Sequence, residues 1–380
     1  MSDTANKALL PAGLQDVLPP DAAFEAQAVE RLMTVFAANG FERVKPPLIE
    51  FEETLLSGSG QALAGQTFRF MDPQSRRMLG VRADQTLQVA RIAATRLINR
   101  PRPLRLSYAG QVLRVKGSQL RPERQFAQAG FELIGAPSVE ADAEAILVAV
   151  DSLKALGVKD ITVDINLPIL ASIVFEDMNV PDEERGRLRE ALAHKDVAYV
   201  GALGGRAGDV LAGLIGAVGP ADIALKKMAN LGLSGRAEEG RLRLVAVWNV
   251  LKAEAPELSI TLDPVEHRGF EYHTGVSFAL FAKGASGDLG RGGRYTTGDG
   301  ETATGATLFM DTVLKVTPKP ESVRRVFLPL GTARSEALRL QKDGWVTICG
   351  LDSGKNSDNE AARLGCGHVF RDGNVVERKA

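Results

Sequence analysis

Two cysteines in 380 residues, Cys349 and Cys366, cannot staple a secreted fold, and neither has the neighbours of a metal centre. Charge of one sign is also missing: 46 basic residues stand against 47 acidic ones, so no whole-molecule field draws the chain to nucleic acid or anionic membrane. Long apolar runs are absent as well. The stretch Val210–Val218 is broken by glycines and falls short of the roughly 18 residues that span a bilayer. The opening Met1-Ser-Asp-Thr-Ala-Asn-Lys does not resemble a secretion signal. No repeat, low-complexity tract or charge block interrupts an ordinary globular composition. These absences predict a cytoplasmic globular protein of two or three domains, with no metal and no cofactor.

The hydrophobic periodicity then divides the chain. Asp21–Asn39 reads as an amphipathic helix, with Phe24, Ala28, Leu32 and Phe36 at helical spacing and Gly40 as a stop. Phe41–Leu56 reads as extended and is broken by Pro46-Pro47. Thr67–Asp72 and Arg77–Ala83 read as a hairpin around Asp72-Pro-Gln-Ser75, followed by a helix from Asp84 that ends before Pro101. Leu104–Val115 and Arg124–Ile134 form a strand–loop–strand unit, Val139–Leu156 a helix and Ile161–Ile165 a strand. Strand signals return at Leu258–Leu262, Tyr272–Phe281 and Asp288–Tyr295, and a final helix is expected at Gly305–Lys315. The expected class is α+β, an antiparallel sheet flanked by helices. The expected domains are a core of residues 1–167 and 256–318, a helical insertion at 168–255, and a small α/β C-terminal module at 322–380.

Residues 124–135, Arg-Gln-Phe-Ala-Gln-Ala-Gly-Phe-Glu-Leu-Ile-Gly, are the most informative twelve. As a strand they send Ala127, Ala129, Phe131 and Leu133 to one face and Gln128, Gly130 and Glu132 to the other. A glycine between two hydrogen-bonding side chains leaves an open floor for a small polar ligand, unless the strand is simply a half-exposed one with a solvated face. Asp84 either caps the helix that follows it or faces an ammonium group. Arg114 is either a surface arginine or a bidentate partner for a carboxylate or phosphate. Two further segments gather polar groups and glycines: Glu266-His-Arg-Gly-Phe-Glu-Tyr-His-Thr-Gly275, and Leu289-Gly-Arg-Gly-Gly-Arg-Tyr295, a ligand loop or a plain glycine-rich hairpin.

These segments carry a resemblance. Ala109-Gly-Gln-Val-Leu-Arg114 with Arg124-Gln-Phe-Ala-Gln-Ala-Gly-Phe-Glu132 resembles motif 2 of the histidyl-tRNA synthetases, class II enzymes. Arg268-Gly-Phe-Glu-Tyr-His-Thr-Gly275 is similar to their Arg-Gly-Leu-Asp-Tyr-Tyr-x-Gly signature, and Gly292-Gly-Arg-Tyr295 to the Gly-Gly-Arg-Tyr that follows it. Gly13-Leu-Gln-Asp-Val-Leu-Pro19, the first helix and Phe41–Phe51 resemble the N-terminal start and motif 1, the dimerisation element. The resemblance implies a class II synthetase core with a histidine-shaped pocket. There Asp84, Thr86 and Gln128 would face the α-amino group. Glu132 would meet the imidazole beside Tyr272 and His273, and Arg114 and Arg268 would handle the carboxylate and activated phosphate. The residue types suit the task, since a buried ammonium needs a carboxylate and an imidazole N–H needs an acceptor.

The departures matter as much. Where the family carries Gly-Leu-Glu-Arg on its last core helix, this chain has Asp311-Thr312, and threonine lacks the fork of donors that grips a polyphosphate. Losing one such contact typically costs about two to three orders of magnitude in rate. Arg121-Pro-Glu123 replaces an Arg-x-Arg pattern, His273 a tyrosine, and Asp84 a glutamate. Residues 324–380 are too few for the family's five-stranded anticodon-binding domain. The chain therefore resembles the regulatory-subunit family of ATP phosphoribosyltransferase, a synthetase-like paralogue. That resemblance implies no catalytic residue and no aminoacylation. It implies activation of a short catalytic chain in the first step of histidine biosynthesis, allosteric feedback by histidine, homodimers through motif 1, and hetero-octamers. No tRNA or membrane partner is expected. The competing reading is a divergent histidyl-tRNA synthetase or another ATP-dependent amino-acid ligase.

Overall fold

Alternating apolar and polar side chains build most of the central sheet in the computed structural model, which describes residues 9–118, 121–267, 272–320, 322–352 and 356–378. The chain divides into two compact units, Met1–Pro318 and Lys319–Ala380. In the first unit the strands are β1 (Glu42–Arg43), β2 (Ile49–Phe51), β3 (Arg69–Met71), β4 (Met78–Val81), β5 (Leu104–Leu113), β6 (Gln125–Ile134), β7 (Ile161–Asn166), β8 (Gly219–Pro220), β9 (Ser259–Asp263), β10 (His273–Ala282), β11 (Gly290–Thr296) and β12 (Thr302–Phe309). Nine of them form one sheet in the order β1-β5-β6-β12-β11-β10-β7-β9-β8, antiparallel throughout except at β1–β5 and β7–β9. The strands β2, β4 and β3 make a separate antiparallel sheet. Its hairpin is closed by Asp72, whose carboxylate accepts from the backbone N–H of Gln74 and Ser75 at 3.1 Å each.

The apolar parity of β6 positions everything else. Ala127, Ala129, Phe131 and Leu133 are buried in the main core. The helix Asp21–Ala38 lies over that face, bringing Phe36 to 5.1 Å from the Phe131 ring, while Phe41 approaches to 4.8 Å. Burying a phenylalanine completely stabilises the fold by about 2–3 kcal/mol, so this aromatic trio anchors the helix firmly. The helix Val139–Ala155 covers the same layer. Ser138 caps it by accepting from Ala141 N–H at 3.3 Å, and Glu140 and Asp142 favour its positive end. Asp142 is buried yet fully matched. Arg294 of β11 donates to one carboxylate oxygen at 2.8 Å, and Arg243, from the helix Gly235–Glu254, donates to the other at 2.7 Å. Helix, sheet and the segment beyond residue 168 are thereby tied at a single carboxylate.

That segment contains the helices Leu170–Asp177, Asp182–Ala193, Val197–Ala202, Gly205–Gly216, Ala221–Ala229 and Gly235–Glu254. It also supplies the two-residue β8 to the sheet edge. Its buried Leu192, Leu211, Leu214 and Val247 are continuous with the core under β6.

One expectation needs correction. Gly305–Phe309 is not the start of a helix but the second half of β12, hydrogen-bonded between β6 and β11. The alternation Thr302-Ala-Thr-Gly-Ala-Thr-Leu-Phe309 is a strand pattern that a glycine and two alanines disguise. The helix begins at Met310 and ends at Val316. Likewise Thr86–Thr95 is shorter than the periodicity around it suggests, and Gly58–Gln66 forms a 3-10 stretch that apolar spacing does not announce.

The second unit carries its own sheet, ordered β14 (Val346–Cys349), β13 (Arg325–Leu328), β15 (His368–Arg371) and β16 (Asn374–Glu377). Helices Arg334–Lys342 and Ser357–Arg363 complete it, and Val326, Leu328, Leu340 and Phe370 form a small core.

Candidate functional site

The polar face of β6 is covered rather than open. Gly130 sits in register with Tyr108 on β5 and Thr307 on β12. A Cβ on Gly130 would lie 2.5 Å from the Tyr108 ring and hydroxyl and 2.6 Å from the Ala306 carbonyl. The glycine therefore makes room for a tyrosine, not for a floor on which a ligand lies directly. Tyr108 hydroxyl is 2.7 Å from the Thr307 hydroxyl, 3.0 Å from that of Thr86, and donates to Glu132 at 3.2 Å. Tyr295 donates to the other Glu132 oxygen at 3.0 Å.

Glu132 is consequently sealed from water. Burial pushes its pKa up to about 8, against the lowering pull of hydrogen bonds from Thr86, Tyr295 and Tyr108, while the nearby Asp84 charge adds to the rise. The same burial pushes the Tyr108 and Tyr295 phenols upward.

Above this layer opens a cavity of 650 Å³, lined in part by Asp84, Arg114, Arg121, Tyr272, His273 and Thr307. Asp84 uses both carboxylate oxygens within the protein. One oxygen accepts from Thr86 N–H at 2.8 Å, at the start of the helix, and the other accepts from Gln128 Nε2 at 3.0 Å. Gln128 itself is fully buried, and among the described residues its Oε1 has no hydrogen-bond partner. Arg114, at the end of β5, faces the cavity with its guanidinium 5.0 Å from the Phe126 ring. Burial lowers its pKa, and the charge of Asp84 works in the opposite sense. Tyr272 and His273 stack on the wall, 4.2 Å apart and tilted by 26°.

Of the residues singled out by sequence, Asp84, Arg114, Tyr272 and His273 therefore line one cavity. Thr86, Gln128 and Glu132 lie beneath it, joined to the lining through Thr307 and Asp84. Arg268 lies outside the described residues. The sequence reading missed Tyr108, Tyr295 and Thr307, which share the polar parity of Gly130 and Glu132 only once the strand register is known. Arg121, named from the sequence only as part of the altered Arg121-Pro-Glu123 loop, also lines the cavity. That side chain packs 4.0 Å from the Phe309 ring and pairs with Asp311 at 2.8 Å. Thr312 donates its hydroxyl to the Asp288 and Phe309 carbonyls at 2.8 and 3.1 Å.

Among the described residues no group of three or more His, Cys, Asp or Glu side chains could hold a metal ion, and no helix is long and apolar enough to cross a membrane.

The chain matches the family model for histidyl-tRNA synthetase over residues 13–313. It is 56% identical over 371 residues to an ATP phosphoribosyltransferase regulatory subunit from Rhodospirillum centenum, covering 97% of this chain and 96% of that one. A protein of the same name from Paramagnetospirillum magneticum is 55% identical over 377 residues, 99% of this chain and all of the relative. Among solved structures, an ATP phosphoribosyltransferase regulatory subunit/histidyl-tRNA synthetase from Bacillus halodurans superposes with a TM-score of 0.81 at 23% identity, covering 93% of this chain and 96% of its own. A histidyl-tRNA synthetase from a Nostoc species gives 0.74 at 18% identity, over 95% and 90% of the two chains. These two likenesses speak for the class II synthetase fold.

Proposed function

The chain belongs to the ATP phosphoribosyltransferase regulatory subunit family, built on the histidyl-tRNA synthetase fold, and from that premise we propose that it is a non-catalytic histidine sensor. It binds a short-form ATP phosphoribosyltransferase catalytic chain in the cytoplasm, raises that chain's activity, and passes on feedback inhibition by histidine. It carries out no aminoacylation and recognises no tRNA. Copies pair through the motif 1-like region and join catalytic chains in a hetero-octamer. In this reading residues 1–167 and 256–318 hold the effector, 168–255 form the insertion and 322–380 the accessory module.

The observation that carries the reading is Asp84, held by Gln128 Nε2 from beneath, facing the same cavity as Arg114. A carboxylate suits an α-ammonium group, and a guanidinium suits an α-carboxylate. Tyr272 and His273 offer a flat wall for an imidazole ring, and the Tyr108–Thr307 hydroxyls relay its N–H towards Glu132. A ligand can shift the partner's activity only if it binds one conformation of the assembly better than another.

Calorimetry on the full chain with histidine and with alanine tests the pocket. Histidine-dependent heat with none from alanine is expected, and equal heats would remove the pocket argument. Histidine-dependent ATP–pyrophosphate exchange by the chain alone would instead establish a working ligase.

A further inference from the structure

Four cationic side chains, Arg114, Lys116, Arg121 and Arg291, line the one 650 Å³ cavity. Convergence of this kind ordinarily prepares a surface for a polyanion. Here much of that charge is already matched from within. Arg121 Nε lies 2.8 Å from Asp311 Oδ2, and its Nη2 donates to the Asp288 carbonyl at 3.1 Å and stands 3.6 Å from the Asp288 carboxylate. Arg291 donates to the same Asp288 carboxylate at 2.7 Å. Against the four cations stand three lining carboxylates, Asp84, Glu123 and Asp288, and Asp311 behind Arg121 makes a fourth.

Asp311 is the least accessible of the charges that hold Arg121. Its side chain is 5% exposed and that of Arg121 11%, so water screens the pair poorly. The Phe309 ring under the guanidinium holds Arg121 flat against the wall. The arginine thus lies in the cavity wall with the Asp311 and Asp288 carboxylates beside it.

We propose that Asp311 is the specificity-determining residue of this cavity: by cancelling Arg121 it confines the site to small zwitterions, and without it the basic wall accepts polyphosphate chains. This deepens the amino-acid reading and rests on it for the zwitterion half alone. The shared chemistry of the excluded ligands is a linear triphosphate, whether free or attached to a nucleoside.

The test is calorimetric titration of the full chain at constant ionic strength with sodium tripolyphosphate and, separately, with ATP. The wild type is compared with Asp311→Asn, Asp288→Asn and the double variant Asp311→Asn/Arg121→Gln. Asp311→Asn is expected to bind both ligands at least about tenfold more tightly than the wild type, and the double variant to lose that gain. Asp288→Asn, which removes a less buried carboxylate from Arg121 and Arg291, is expected to gain in the same direction by a smaller factor. Unchanged affinity in both single variants would overturn the proposal, as would a gain that survives Arg121→Gln or one confined to ATP. Should Asp311→Asn fail to fold, Asp288→Asn decides: a gain supports the proposal and none overturns it. Histidine titrated into the same samples separates the two readings. Absent histidine binding with a tripolyphosphate gain in Asp311→Asn would sink the amino-acid reading and the zwitterion half of this proposal, and leave its polyphosphate half standing.

Discussion

Replacing Glu132 by glutamine should change how the stability of this protein depends on pH, in a direction and size the structure dictates. Glu132 is 1% exposed, and its two oxygens face the Tyr108 and Tyr295 hydroxyls. Burial raises its pKa from 4.5 to about 8. Between those two values an unfolded Glu132 has released its proton while the folded one keeps it. The native state then binds one more proton than the unfolded state, so stability falls as pH rises, by ~1.4 kcal/mol per pH unit. Over the whole window the fall attributable to this one group amounts to ~4–5 kcal/mol, an upper figure that relaxation of the site reduces. Below pH 4.5 the contribution is fully present, and above about 8 it is gone. Glu132→Gln keeps the shape and cannot ionise, so its stability should not carry this slope. Urea unfolding of both proteins at intervals from pH 4 to 9 measures the difference directly. The variant is expected to overtake the wild type towards pH 9. Parallel curves through the window would refute the reasoning and mean that the two tyrosines hold Glu132 as a stable carboxylate.

Asp84→Asn preserves a capping oxygen for Thr86 N–H but removes the charge, and should weaken histidine binding by about 1.5–3 kcal/mol, read as a ten- to hundredfold rise in Kd by calorimetry. Gly130→Ala drives a methyl group into the Tyr108 ring and the Ala306 carbonyl, so the melting temperature should drop by the equivalent of ~2–4 kcal/mol in a thermal scan. Arg294→Gln leaves the buried Asp142 with Arg243 as its one remaining ion-pair partner among the described residues, and chemical denaturation should register a loss of ~3 kcal/mol. Exposed pairs such as Arg43–Glu30 serve as the contrast, with Arg43→Gln expected to cost less than ~1 kcal/mol in the same assay.

Local rules carried the sequence reading wherever a residue's neighbours along the chain decide its state. The parity of β6, the Asp72 turn, the first helix with its Gly40 stop and the βα order of the second unit all follow from spacings within a few residues. Reading fails where register decides. Nothing local says that Tyr108 stands opposite Gly130, or that Gly305 lies beside Glu132 so closely that a Cβ there would meet Glu132 Oε2 at 2.3 Å. The same gap explains the misread Gly305–Phe309, whose small residues fit a helix as readily as a strand until β6 and β11 flank them. In the site, Asp84, Gln128 and Glu132 were visible as residue types, because buried charge demands partners. The tyrosine layer that covers Glu132, and the internal pairing of Arg121, belong to tertiary structure alone.

In the function proposed above, an amino-acid cavity in a non-catalytic chain governs another enzyme. That function is tested most directly by assaying a short-form ATP phosphoribosyltransferase chain with this protein, wild type or Asp84→Asn, across a histidine titration. Both proteins are expected to raise the basal rate, histidine to suppress it with the wild type, and Asp84→Asn to shift the suppression to at least about tenfold higher histidine. A basal rate that neither protein changes, or inhibition by histidine that is identical with both, would contradict the proposed function.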